Sequence, residues 1–248
     1  MNKSKAVLQD ILSSLKVDYK VTDIHTCVYW TAVTSLRCGL ASTMAASILP
    51  SKGPQVESAG NLLPTEAKEL AKLCFSPRIL EASIGIAAIN SMLPDDESRC
   101  IELNAEDEIH SLGAGKRIAI IGHFPFIERL RTDAKELYVF ELPGRGHPGD
   151  FTGDEIETLL PKAEVVAVTS TTLINHTLGS ILDLISSDAY KMMLGPSTPL
   201  SPVLFDYGFD ALSGSIVVDR NQVLNCISQG ANFRQVRGVK KMTMRRKK

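Results

Sequence analysis

His123, Glu141 and Asp150 fall at the ends of two strand-length apolar runs and in the loop that follows the second. Histidine titrates near neutral pH, so His123 is the residue best suited to acid–base work, with Asp150 beside it as the second catalytic candidate. Glu141 follows Gly122 by 19 residues. That is close to the spacing at which an acidic side chain meets ribose hydroxyls in nucleotide-binding folds. The rest of the dinucleotide fingerprint fails, because Phe124 and Ile127 stand where glycines are needed. A pyrophosphate would meet bulk instead of bare backbone, which disfavours NAD and FAD.

A divalent metal is a second chemistry to weigh, with His123, His147 and His176 as candidate ligands and Glu141 and Asp150 as further oxygen donors. No local spacing such as His-x-x-x-His joins them, so only the fold can bring them together. The loop 143–150 carries glycines at 144, 146 and 149, and its Arg145 and His147 suit an anion or a metal. Neither a Gly-x-Ser-x-Gly elbow nor a nucleophile–base pair is visible. Gly113-Ala-Gly-Lys116 precedes its strand and is followed by Arg117 where a P-loop requires Ser or Thr, so it reads as a turn.

These residues need a scaffold. Continuous apolar runs at 117–121, 137–142, 164–169, 190–194 and 215–219 alternate with helical patterns at 125–131, 153–161, 172–186, 200–209 and 220–229. Runs that do not alternate in polarity predict strands covered on both faces, hence an open, mainly parallel sheet with helices on both faces. Ligands bind such sheets outside the carboxyl ends of the strands, near the switch in strand order. That rim gathers Gly122, His123 and Pro125 after the first run, and Glu141 after the second. Thr171, Thr172 and Asn175 follow the third, and Gly195, Ser197 and Thr198 the fourth. Thr152 with Glu155 predicts a capping box, and Thr198-Pro199 a helix start whose amides face an anion or are simply capped.

The N-terminal part reads differently. Residues 3–16 form one helical face, and 19–33 predict two or three antiparallel strands. Gly39, in a run of small residues, marks a close backbone approach or a special dihedral. A helix is expected over 66–74. A second, with Ser76 as N-cap and Pro77 at its first position, has an apolar body over 79–93 and is expected to be buried. Asn90 on that helix needs a partner, either a neighbouring loop or a ligand. The expected organisation is an α+β unit over 1–112, a Rossmann-like unit over 113–233 and a basic tail over 234–248.

The tail holds eight basic residues and no acidic ones; setting them aside from the 27 basic residues leaves 19 against 28 acidic, about −9 for the body. Such a tail suits nucleic acid or anionic lipid, but a solvated, frayed terminus is the expectation, and no other nucleic-acid contact is expected. With 44% hydrophobic and 22% charged residues the composition is that of a globular protein, and no apolar run is long enough to span a bilayer. The five scattered cysteines predict reduced thiols, and a cytoplasmic location follows as the default.

Ile-Gly-His-Phe-Pro-Phe after the first run, Pro-Gly-Asp after the second, Thr-Thr-Leu-Ile-Asn-His-Thr-Leu after the third and Gly-Pro-Ser-Thr-Pro-Leu-Ser-Pro after the fourth form an ordered set. Together with Gly-Ile-Ala-Ala-Ile-Asn-Ser near the N-terminus, they resemble the "putative heavy-metal chelation" domain family, over nearly the whole chain. The resemblance implies an N-terminal domain similar to the enolase N-terminal fold, a Rossmann-like domain similar to that of methyltransferases, and a candidate site between them. By position it singles out Asn90, Gly122, His123, Pro125, Asp150, Thr171, Thr172, Asn175, Gly195, Ser197 and Thr198. The leading expectation is therefore a protein binding a small polar or anionic ligand, with a metal or its chelator as candidate, in an interdomain cleft around His123, Glu141 and Asp150. The alternatives are a transferase using S-adenosylmethionine or a nucleotide, with Glu141 on the ribose, and a non-catalytic ligand sensor. A homodimer is the expected assembly.

Overall fold

A computed structural model of the chain describes residues 3–44, 53–94, 99–143 and 146–247. The N-terminal stripe is helix α1 (Lys3–Ser14), with Val7, Leu8 and Ile11 buried. Strands β1 (Asp23–Thr26), β2 (Trp30–Thr34) and β3 (Cys38–Ser42) follow and pair antiparallel as a three-stranded sheet. The sequence expectation ends its strands at Val33. The third strand escapes it because Cys-Gly-Leu-Ala-Ser carries little β-propensity, and burial beneath a helix overrides that weak local signal.

Helix α2 (Ala67–Ala71) runs through a short 3₁₀ turn into α3 (Ile79–Met92), which is buried nearly all round. The expected start of α3 is corrected. Arg78, not Ser76, is its N-cap residue, with no side-chain cap bond. Ser76 accepts from the Arg78 amide at 3.1 Å and donates its hydroxyl to the Glu81 carboxylate. Glu81 also accepts from the Glu57 amide at 2.9 Å and from Arg78. Burial works to raise the Glu81 pKa, but the Ser76 hydroxyl, the Glu57 amide and the Arg78 charge outweigh it and hold the carboxyl below its ordinary value.

Strand alternation sends Val33 and Ala41 of the small sheet into the core that holds α3. Trp30, Ala32, Cys38 and Leu40 face the other way and pack against Val223 and Ile227 of α10 (Arg220–Ser228). A helix from the C-terminal half thus covers the outer face of the N-terminal sheet, across the expected boundaries of the two units.

The second sheet contains β4 (Cys100–Ile101), β5 (Arg117–Ile121), β6 (Glu136–Phe140), β7 (Val165–Thr169), β8 (Tyr190–Leu194), β9 (Ala211–Val217) and β10 (Val239–Arg245). Their order among the described residues is β4-β10-β9-β8-β7-β5-β6. The five strands from β5 to β9 are parallel, and β10 and β4 are antiparallel. This is the mixed α/β architecture that the apolar runs predict. Ile118 and Ile120 enter one core layer with Ile109 of α4 (Ala105–Gly113) and Leu130 of α5 (Ile127–Asp133). Ala119 and Ile121 enter the opposite layer with Leu173 of α7 (Thr171–Ile174) and Ile181 of α8 (Leu178–Leu184). Alternate residues of one strand serving two layers explain why the runs are apolar throughout.

Several local expectations are corrected. The basic tail is not frayed, since Val239–Arg245 is a strand lying between β9 and β4. Strand β4 pairs with β10, and α4 packs on the second sheet. Helix α6 (Glu155–Leu159) has Asp154 as its N-cap residue, so Thr152 makes no capping box. Helix α9 (Val203–Asp206) starts beyond Thr198-Pro199, so its amides are not presented there. Gly39 lacks a positive φ, and its role is space: a Cβ there would lie 2.2 Å from the Ala87 carbonyl oxygen. The turn at 113–116 is present, with Gly115 at φ +72°. Among the described residues no helix is long and apolar enough to cross a membrane.

Candidate functional site

The strand order reverses between β5 and β7: β6 lies on one side of β5, while β7, β8 and β9 continue on the other. Where the order reverses, the connections after neighbouring strands leave in opposite directions and a crevice opens outside their carboxyl ends. The structure has a cleft of about 540 Å³ there. Its floor is the rim of the second sheet, with Gly122 and His123 after β5, Glu141 after β6, and Thr171, Thr172 and Asn175 after β7. Its other wall comes from the N-terminal sheet, through Val28, Tyr29, Trp30, Ser42 and Met44. No local signal in the sequence indicates these wall residues. Their apolar character reads as ordinary strand packing until the two sheets are seen to meet.

Gly122 has φ +95°, a backbone conformation that side chains rarely adopt. The turn it makes presents the next amide, His123 N–H, to Glu141 Oε2 at 3.1 Å. The Leu142 amide donates to Glu141 Oε1 at 2.7 Å. Both carboxylate oxygens are thereby fixed at the cleft edge, each with accepting capacity left.

Behind the rim, Asp150 is fully buried at its side chain. Its Oδ2 meets His123 Nδ1 at 2.8 Å and accepts from the His147 amide at 2.9 Å. The carboxylate holds the ring orientation and leaves Nε2 as the nitrogen open to a ligand or proton. The His147 ring stacks on His123 with centroids 3.9 Å apart. Asp150 is thus a positioning residue for His123 and does not line the cleft. Gly144 and Arg145 lie outside the described residues.

The remaining candidates divide. Asn175 caps a turn, with Oδ1 accepting from the Thr177 amide and hydroxyl at 3.1 and 2.7 Å, and this splits the expected helix over 172–186 into α7 and α8. Thr172 donates its hydroxyl to the Thr169 carbonyl at 2.7 Å, while the Thr171 and Thr169 hydroxyls meet at 3.0 Å. Asn90 does not reach this cleft; its amide bridges the carbonyls of Leu40 at 2.8 Å and Ser197 at 3.1 Å. Ser197 in turn accepts from the Ser42 amide at 2.8 Å. Asn90 and Ser197 therefore fasten the two sheets together, and buried Thr198 lies with Asn90 at a separate small recess. Pro125 and Gly195 line another cavity.

The proposed histidine set for a metal is not assembled. His176, in a left-handed conformation at φ +59°, places Nε2 2.7 Å from the Cys74 carbonyl oxygen and does not line the cleft with His123. Among the described residues no group of three or more His, Cys, Asp or Glu side chains is arranged to hold a metal ion. Burial raises the thiol pKa of Cys27 and Cys38 and pushes that of Cys74 up to about 12. The described residues do not assemble a metal centre from protein side chains alone.

Comparison with known proteins agrees with the architecture. Two family models, DUF364 and DUF4213, both described as "Putative heavy-metal chelation", match residues 104–246 and 9–93. An uncharacterised protein of Methanocaldococcus jannaschii is 28% identical over 185 residues, covering 71% of each chain. A crystal structure of a DUF364-family protein of unknown function from Desulfitobacterium hafniense superposes with a TM-score of 0.84 at 25% identity, covering 98% of both chains. A Pyrococcus horikoshii member shares the fold, with a TM-score of 0.82 at 21% identity over 98% of this chain and 99% of that one.

Proposed function

The chain belongs to the "Putative heavy-metal chelation" family, and from that premise we propose that it binds a small organic molecule with metal-chelating groups in the cleft between its two sheets. The observation that carries this reading is the combination of an approximately 540 Å³ cleft with His123 and Glu141 at its edge and, among the described residues, no side-chain cage for a bare ion. A volume of that order suits a small molecule, and mostly apolar walls with a few fixed polar groups are how such sites orient a ligand. Glu141 accepts hydroxyl or amine donors of the ligand. His123 Nε2, with Asp150 behind it, supplies one nitrogen to a metal whose other donors come from the chelator, or one proton acceptor to the ligand itself. The metal is cargo in this reading and not a resident centre.

A second reading is a transferase using S-adenosylmethionine or a nucleotide, and one observation favours it. Glu141 stands directly after the second parallel strand, where an acidic residue meets ribose hydroxyls.

Native mass spectrometry of the freshly purified full chain, paired with elemental analysis, separates these readings. The expected result is an organic adduct, with any metal present only in molecules that carry it. A stoichiometric metal bound without an organic partner would overturn the chelator reading. A metal-free adduct with the mass of S-adenosylmethionine or a nucleotide would replace it with the second.

A further inference from the structure

A second cavity, of about 360 Å³, opens on the same sheet edge, on the opposite side of the β5 loop, with Phe124 as a wall common to both. It lies at the carboxyl end of β8 and beside the middle of β9, with Gly195, Pro196, Ser213 and Gly214 in its lining. Phe124 and Phe126 stack on each other along one side, with centroids 5.3 Å apart and planes at 19°. Phe233 adds a third ring.

The charges at the opening do not cancel. Glu106 lines it, but its carboxylate accepts from Arg129 at 3.1 Å. Arg234 and Lys241 line it too, and among the described residues no carboxylate pairs with either. Arg234 is not on a loose end. Its amide donates to Asn232 Oδ1 at 3.0 Å, and the Ala231 carbonyl accepts from the Trp30 indole at 3.0 Å. Lys241 is fixed in the ladder opposite Ser215. Two exposed cations on anchored backbone, at the edge of an aromatic cavity, select an anion attached to a flat ring: the rings stack on its face, and the guanidinium fork takes two oxygens.

We propose that this second cavity binds a small molecule in which an aromatic ring carries a carboxylate or phosphate group. It does not rest on what fills the first cleft. Two residues of the basic segment 234–248 then have a role as an anion clamp.

Trp30 is the sole tryptophan; it lines the first cleft and touches Phe233 of the second cavity with ring centroids 5.3 Å apart, so its fluorescence responds to either site, and the Arg234 and Thr171 variants tell which one is filled. Titrations of the full chain with adenosine monophosphate and with salicylate distinguish the phosphate and carboxylate forms. Adenosine and ribose 5-phosphate supply the ring and the anion separately. At least one of the two ring-bearing anions is expected to bind about tenfold or more tighter than either half-probe, and more weakly as salt rises. Arg234→Gln should weaken it about tenfold or more, with partial recovery in Arg234→Lys, as for loss of a charged hydrogen bond. Thr171→Phe, which fills the first cleft, should leave it unchanged. Failure of both anions to bind, or binding insensitive to Arg234→Gln, overturns the proposal; so does binding lost in Thr171→Phe.

Discussion

A chain ending at Gly238 is expected to lose the cooperative unfolding transition of the full protein and to aggregate, whereas a chain ending at Arg246 keeps its transition. Strand β10 is paired along seven positions with β9, from Val239 opposite Val217 to Arg245 opposite Ala211. It also holds β4 on its other side. Met242, Thr243 and Met244 are buried. Each buried methionine contributes about 1.5–3 kcal/mol, and the lost strand leaves a row of β9 backbone groups unpaired. Against a typical total stability of about 5–15 kcal/mol, those losses remove most of the margin. Circular dichroism through a thermal scan reads the result. A truncated chain melting within a few degrees of the full one would contradict the role given to β10.

The second large effect is expected at Gly39. Valine there should lower the melting temperature by about 6–12 °C, from an overpacking cost of about 3 kcal/mol and about 2–4 °C per kcal/mol for a chain of this size. A Cβ on Gly39 would lie 2.2 Å from Ala87 O and 2.3 Å from Ser91 N, both backbone atoms of α3. Neither is a side-chain tip that can swing away, so strand and helix must separate. The consequence reaches the cleft, because β3 ends at Ser42, which lines it and binds Ser197. Differential scanning calorimetry measures the shift, and a wild-type melting temperature would mean that β3 and α3 are not in backbone contact.

Gly39 and β10 also show where sequence reading stops. The runs at 117–121 and 190–194 become β5 and β8 with those bounds, because both faces of these strands are covered by the core. In Val-Lys-Lys-Met-Thr-Met-Arg the charges dominate the composition, and the burial of 242–244 comes from the second sheet's other strands, which local pattern does not encode. Capping signals failed for a similar reason. Ser76 has the right type and place to cap, but its hydroxyl is claimed by Glu81. The rim itself was legible, since the positions after successive parallel strands follow from topology: Gly122, His123, Glu141, Thr171, Thr172 and Asn175 do meet at one cleft. The opposite wall, Val28 to Trp30 with Ser42 and Met44, was not, because its approach depends on how two sheets pack. The histidines divide on the same ground. His123 is set by Asp150 across the ends of the neighbouring strands β5 and β6, while the left-handed turn at His176 directs that ring to the Cys74 carbonyl.

The account turns on ligand occupancy of the cleft between the sheets. Native mass spectrometry of wild type, Glu141→Ala and Thr171→Phe, purified side by side, tests it most directly. The expected spectra show a small-molecule adduct on wild type, reduced about tenfold or more in Glu141→Ala and absent in Thr171→Phe, with all three folded by circular dichroism. A wild type that carries no adduct, or an adduct held equally by all three proteins, would contradict it.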